Sequence, residues 1–514
     1  MSSSSSPSSS QTGAADQGRS GGGGDTRGRR RRGLHRRHPR HPLLEMGETS
    51  SSSTAAAAAS SSAAASSSRR RSSASSSTAA AAVVSYEGVW PEPFVEAVCV
   101  QVALDESASL GRLAAAPAMA VLFQVCSTWR TISRSELLWQ TLTRRIWRRT
   151  RLLHETWRDE YIYRHLTARN FRVRHCTHST LHFIDGAVPI AGNNGVGAEN
   201  HLICLRIALS DIHLAAGFSD GSVRLFDLHS HHHLHTFRPF LRDRLGLFSR
   251  AVCGIILNHT RLTFASLDGD IHVSQLNNGP GLGPGSTRRA HSGDVVNDGV
   301  LVDFTGCERF WVGLYAGVPG RAIHIWDAQS ETPSFIGGNL TDPEAVMGWH
   351  MLTEWMPESV GRVRVIGHEL AIACTGSRVL VFDLRHQGLV VSEESHGGLL
   401  VGLLDTSHDV FIMGDARGVG STRRVGTMEV VCSFSLRGAA ANGLARGLTG
   451  CMNSGYVLIS ASGGIVRAWE MERGEYLYSF RERIGEVSAL AANDRHVAGS
   501  SSGDIRIHLW DFGA

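Results

Sequence analysis

Residues 214–227 read LAAGFSDGSVRLFD, and the fold of most of the chain turns on these fourteen positions. Leu214 to Phe218 is apolar, Asp220-Gly221 is a turn signal, and Val223, Leu225 and Phe226 resume an alternation that Asp227 closes. Asp-Gly supplies the positive φ that a two-residue hairpin turn demands. Alternation at period two marks a strand with one buried face. The stretch predicts two antiparallel strands, a tight turn between them, and an aromatic wedge before a terminal acid.

The unit recurs along the chain. Leu262 to Ser266 leads to Asp268-Gly269, then Ile271 and Val273; Phe310 to Leu314 leads through Gly317 and Gly320 to Ile323, Ile325 and Trp326-Asp327. Ala371 to Cys374 leads to Val379, Val381 and Phe382-Asp383, and Val457 to Ser460 leads to Gly463-Gly464, Val466 and Trp469-Glu470. His496 to Gly499 leads to Gly503, Ile505, Ile507, Leu509 and Trp510-Asp511, and a weaker unit spans Val410 to Cys432. The spacing is that of WD-type repeats of about 40–45 residues with insertions. Seven such units predict a closed ring of blades, which removes exposed sheet edges. The chain stops at Ala514, just after the third strand of the last unit. Ser179 to Asp185, which alternates just before the first blade, is the expected fourth strand, paired beside His508 to Phe512.

Upstream the period changes. In Leu122 to Trp147, apolar residues fall at Leu122, Val125, Cys126, Trp129 and Ile132, then at Leu137, Leu138, Leu142, Ile146 and Trp147. That is the three-and-four spacing of amphipathic helices, with Ser133 and Ser135 available as caps between them. Phe94, Val98 and Val102 recur at four-residue steps after a Pro-rich entry, so a helix is expected there, and Pro117 stands at another helix start. Glu136 to Arg174 reads as continuing helical, with Trp147, Trp157, Tyr161 and Tyr163 among many arginines. Such interleaving can bind nucleic acid, but Asp159 and Glu160 favour a helical spacer whose arginine stems lie along apolar surface.

Residues 1–85 are Ser-, Ala- and Gly-rich and cannot bury enough apolar surface to offset chain entropy, so a disordered tail is expected. The tail carries twelve arginines against Asp16, Asp25, Glu45 and Glu48, a net charge of +8; the whole chain carries +4, leaving −4 on residues 86–514. Arg29, Arg30, Arg31, Arg32, Arg36 and Arg37 suit nuclear import, or are simply a solvated charge run. Because the basicity sits in the tail, direct nucleic-acid binding by the folded body is not expected. All 51 basic side chains are arginine. Either a GC-rich coding bias explains this, or the chain avoids ubiquitination of its own side chains. Nine scattered cysteines without a CxxC pair suggest free thiols in a reducing compartment. Neither a signal segment nor an 18-residue apolar run is present, so no membrane association is expected.

No phosphate loop, nucleophile elbow or HExxH occurs, so the chain reads as non-catalytic, without cofactor or metal. His229 to His235 is the best metal candidate by composition, but it falls where an exposed loop should lie and has neither Cys nor acidic companions. The reading is thus mainly β: a seven-bladed WD-repeat-like propeller (179–514), preceded by a disordered tail (1–85), an all-α unit (86–148) and a helical spacer (149–178).

The order Val125-Cys126, Trp129, Leu138-Trp139 resembles the second half of an F-box, although Trp90-Pro-Glu-Pro93 replaces the usual Leu-Pro opening. More broadly, the chain resembles the plant sterile apetala family of F-box and WD-repeat floral regulators. The match rests on GVWPEPF, ETWRDEYIYRHLTARNFR, LSDIHLAAGFSDGSVRLF, DGDIHV, VNDGVLVDFTGC, LTDPEAVMGWH, RGEYLYSFRERIGEV and IHLWDFGA. This resemblance implies a nuclear substrate-recognition subunit of a Skp-cullin-F-box ubiquitin ligase. Its clients would be transcriptional repressors, and its role the control of flower and organ development. The implied adaptor contacts are Pro91, Phe94, Val98, Leu122, Val125, Trp129, Leu138 and Trp139. For the substrate, Trp349, His350 and Trp355 lie in an aromatic-rich insertion between blades, where loops carry function, and Arg242, Arg244 and Arg250 could pair with acidic or phosphorylated groups. The competing reading is a chromatin-associated transcriptional regulator acting through the basic tail and ring-bound partners.

Overall fold

The computed structural model describes residues 90–183, 202–239, 247–276, 287–340, 360–367, 369–436, 448–461 and 463–513. Seven four-stranded antiparallel sheets form the blades of a ring. Blades 1 to 6 each use four consecutive strands, from Cys204–Leu209 at the inside of blade 1 to Tyr476–Arg483 at the outside of blade 6. Inner strands of successive blades pack side by side, and that of blade 7 (Val487–Ala492) returns to that of blade 1, closing the ring.

Blade 7 takes its outer strand from far upstream. Thr177–His182 pairs antiparallel with Arg506–Asp511, placing His178 opposite Trp510 and Thr180 opposite His508. The expected donor is therefore used, but two residues earlier than its alternation suggested. Leu181 and Phe183 sink into the core between blades 7 and 1, and this burial sets the register.

The hairpin turns are longer than expected. Phe218 donates its N–H to Ser222 O (2.9 Å), Ser266 to Asp270 O (3.1 Å) and Asp415 to Val419 O (3.0 Å). Each closes a three-residue loop whose last member, Gly221, Gly269 or Gly418, has φ of +84 to +86. This is a type I turn followed by a left-handed residue, the next commonest hairpin after the two-residue form. The aromatic–acid pairs open a second repeated turn. Asp227, Asp327 and Asp383 accept backbone N–H bonds from the residues two and three further on. Their aromatic neighbours Phe226, Trp326 and Phe382 are wholly buried. The core lies between blades: Val312 and Ile325 of blade 3, for example, pack with Ala371 and Phe382 of blade 4.

Among the described residues, five helices precede the ring: α1 (Glu92–Leu110), α2 (Ala115–Leu122), α3 (Ser127–Ile132), α4 (Glu136–Ile146) and α5 (Trp157–Val173). Ser135 caps α4, accepting from Leu138 N, and Thr156 caps α5, accepting from Asp159 N. The helical run expected from Glu136 to Arg174 breaks between Ile146 and Trp157, and the stretch assigned to a spacer already contains the start of a strand at Thr177. Residues 86–514 form one compact unit, so helices and ring pack together. Among the described residues, no helix is long and apolar enough to cross a membrane.

Candidate functional site

The helical unit has its own core, built from Val95, Cys99 and Ala103 of α1 with Met119, Ile132, Leu138, Trp139, Leu142, Trp147 and Tyr161. The buried stripe of α1 is thus one residue out of phase with the expected Phe94, Val98 and Val102. Trp139 lies 5.0 Å from Tyr161 between ring centroids, and its indole N–H donates to Ser133 O at 2.7 Å. Leu138 and Trp139, two of the residues assigned to the adaptor, are buried and fix α4 from inside. Val98, Leu122 and Trp129 are half-buried, the last two along the edge of the core.

What remains in solvent is a different apolar set. Pro91 and Phe94 are exposed, and Phe94 stacks on Trp90 at 4.9 Å. Val121, Val125 and Leu137 are each more than 60% exposed. A cleft of about 250 Å³ opens between α2, α4 and α5, lined by Met119, Phe123, Trp139, Tyr161, Ile162 and neighbours.

The seat of the helices on the ring is specific. In each blade the turns joining strands one to two and three to four lie on one face; the remaining turns and the connections between blades lie on the other. The helix contacts described next go to the first face. Phe171 stacks on Tyr456 (4.5 Å, planes 5° apart) and on Phe512 (4.0 Å). Tyr456 Oη donates to Ala168 O and Tyr478 Oη to Phe171 O, both at 2.7 Å. Arg149 reaches Asp211 and Asp494, each at 3.2 Å. Burial alone would raise the Asp494 carboxyl, but Arg149 and Arg112 beside it and the Ser454 hydroxyl hold it at about 2. Arg112 lies over the rings of Trp147 and Tyr456 at 5.1 and 5.4 Å. It comes so close to Gly455 that a side chain there would collide with the guanidinium. Among the described residues, the opposite face of the ring receives none of these helix contacts.

Of the residues assigned to substrate, only Arg250 is among those described. Trp349, His350 and Trp355 belong to the connection between blades 3 and 4, and Arg242 and Arg244 to that between blades 1 and 2; these five, like Arg29 to Arg37, lie outside the described residues. Arg250 ends a short 3-10 turn, Leu247–Arg250, and is half-buried against the Gly221 turn. His229 to His235 occupies the turn and outer strand of blade 1, mostly exposed. Among the described residues, no group of three or more His, Cys, Asp or Glu is placed to hold a metal.

One charged assembly was not anticipated. On the inner strands, Arg206 lies 3.8 Å from Asp303, Asp303 is 2.8 Å from Arg364, and Arg364 is 3.3 Å from Asp405. Asp405 accepts from Met452 N, and Arg206 donates to Cys253 O, both at 2.8 Å. This ladder ties the inner strands of blades 1 to 6 around the axis. Its sequence signal is a charge inside an otherwise apolar strand, as in CLRIAL and VLVDFTG.

A closed propeller carrying a small helical unit with an exposed apolar set fits a protein-interaction role. The chain is 55% identical over 431 residues to the Arabidopsis thaliana protein described as transcriptional regulator STERILE APETALA, covering 83% of this chain and 92% of that one. It belongs to the sterile apetala family. No family model matches the sequence. Among solved structures, the computationally designed Ika8 protein and BamB from Moraxella catarrhalis are each 14% identical. Their TM-scores are 0.40 and 0.39, and the matches cover 61% and 60% of this chain and 97% and 84% of theirs. Likeness at that level carries no functional argument.

Proposed function

We propose that this chain is the substrate-recognition subunit of a Skp-cullin-F-box ubiquitin ligase, acting in the nucleus and without chemistry of its own. The helices engage the Skp-type adaptor, and through it the cullin, while the open face of the ring holds the client. The clients are transcriptional repressors, whose removal regulates flower and organ development. The observation that carries this reading is the exposure of Phe94, Val121, Val125 and Leu137 on a unit seated firmly on the ring. Ubiquitin transfer needs a client at a set distance and orientation, and the Phe171, Arg149 and Tyr456 contacts supply that rigidity.

The test is co-purification with a Skp-type adaptor and cullin after co-expression. Wild type should co-elute with both, and Val125→Asp with Leu137→Asp should abolish association without altering the melting temperature. Failure of the wild-type chain to associate would remove the reading. A second reading, direct regulation at chromatin through the basic tail, is favoured by the description of the Arabidopsis relative as a transcriptional regulator. It requires salt-sensitive DNA binding that disappears when residues 1–85 are deleted.

A further inference from the structure

The outer strand of a propeller blade has one unpaired edge, and proteins protect such edges with charge, proline, brevity or a covering element. Five of the seven outer strands here follow that rule. Thr177–His182 is polar; His233–Phe237 is short and His-rich; Arg288–His291 is four residues long and begins with two arginines; Pro333–Gly337 opens with proline. Tyr476–Arg483 is held under α5 by Tyr478 and by Arg174, which donates to Ser479 O at 2.9 Å.

Blades 4 and 5 are protected least, side by side: the first carries its two charges only at the far end of the strand and the second carries none. Leu389–Ser395 reads LVVSEES, and Leu389, Val390 and Val391 are 62, 48 and 50% exposed in succession. Val430–Ser435 reads VVCSFS, with Val430 and Val431 51 and 37% exposed and no charge or proline. Both apolar runs directly follow the turn from the third strand, so they stand at matching levels of neighbouring blades. Strands open at the edge and apolar at the surface are templates for strand addition, and that of blade 4, at seven residues, is also longer than those of blades 3 and 5.

We propose that the outer strand of blade 4 is a docking edge for an extended peptide segment of a partner protein, which adds to the sheet antiparallel as a fifth strand. The chemistry of the strand sets that of the peptide. Leu389 to Val391 asks for alternating β-branched residues opposite. Glu393 asks for a basic residue at the N-terminal end of an antiparallel peptide, while Glu394 beside it is already held by Arg423 of blade 5. Glu393 is free to serve: its present partner, Arg378, is 3.6 Å away with both side chains nearly half exposed, an arrangement that holds little. The strand is on the rim and contributes to none of the helix–ring contacts named above, so the proposal stands or falls independently of the ligase reading.

The probe is a fluorescein-labelled peptide, Thr-Arg-Arg-Thr-Val-Thr-Val, titrated against the full chain by anisotropy, with its reversed sequence as control. The forward peptide should bind, slow amide exchange across 389–395, and lose about tenfold in affinity with either Leu389→Lys or Glu393→Lys. Leu234→Lys in blade 1 should change nothing. Equal binding of forward and reversed peptides, protection elsewhere on the ring, or indifference to both substitutions would overturn the proposal. So would a concentration-dependent dimer abolished by Leu389→Lys, which would assign the edge to a second copy. Adaptor co-purification of the same variants separates this outcome from failure of the ligase reading.

Discussion

Phe171 near the end of α5 lies flat on Tyr456 of blade 6, ring centroids 4.5 Å apart and planes within 5°. The same tyrosine donates its hydroxyl to Ala168 O at 2.7 Å, so one side chain provides both area and a directed bond. Phe171→Ala should cost about 3–5 kcal/mol. Because the lost contacts join helices to ring, it should also open the 149–176 segment to limited proteolysis while the blades stay protected. Cleavage no faster than wild type would show that the seam is held by Arg149 and Asp494 instead.

Leu137 and Leu138 are neighbours on α4 with opposite surroundings, the first 61% exposed and the second 1%. Leu138→Ala should lower stability by about 2–5 kcal/mol. Leu137→Asp should leave denaturant unfolding within about 0.5 kcal/mol of wild type and act only on adaptor association. Reversed effects would mean that α4 is rotated from the described position.

Ring closure rests on a strand far in sequence from its partner. Leu181→Ala, which empties a buried position between blades 7 and 1, should cost about 2–5 kcal/mol. Thr177→Ala at the exposed start of the strand should cost almost nothing, by equilibrium denaturation. Deleting residues 177–182 should lower the melting temperature out of proportion to their number; a neutral deletion would refute closure by this strand.

Acid should weaken the fold before it reaches the carboxylates. Burial lowers His272, His324 and His496 from the ordinary 6.5 to about 4. Between those values the unfolded chain holds protons that the folded chain does not. Stability is therefore intact above about pH 6.5 and falls as the pH drops towards 4, by up to about 3 kcal/mol per histidine. Asp494, held at about 2, keeps its contribution until far lower pH. Denaturation at pH 7.5, 6 and 5 measures the slope. His324→Phe, which retains a ring beside Tyr315 (4.0 Å), should flatten it, and an unchanged slope would exclude His324.

The number of blades, the strand order within each, the source of the closing strand and the existence of a helical unit were all legible in the sequence. They are local matters: Asp-Gly turns, period-two alternation and serine caps act on neighbours in the chain, whatever packs on them later. The tertiary structure alone decided which face of each element is buried. Phe94 or Val95, Leu137 or Leu138 could each have been the inward residue, because an apolar side chain carries no mark of what will stand opposite it. The seating of α5 on one face, the Arg206–Asp303–Arg364–Asp405 ladder and the bare outer strands of blades 4 and 5 likewise depend on residues tens to hundreds of positions apart. Burial is fixed by that long-range company, and no window along the chain contains it.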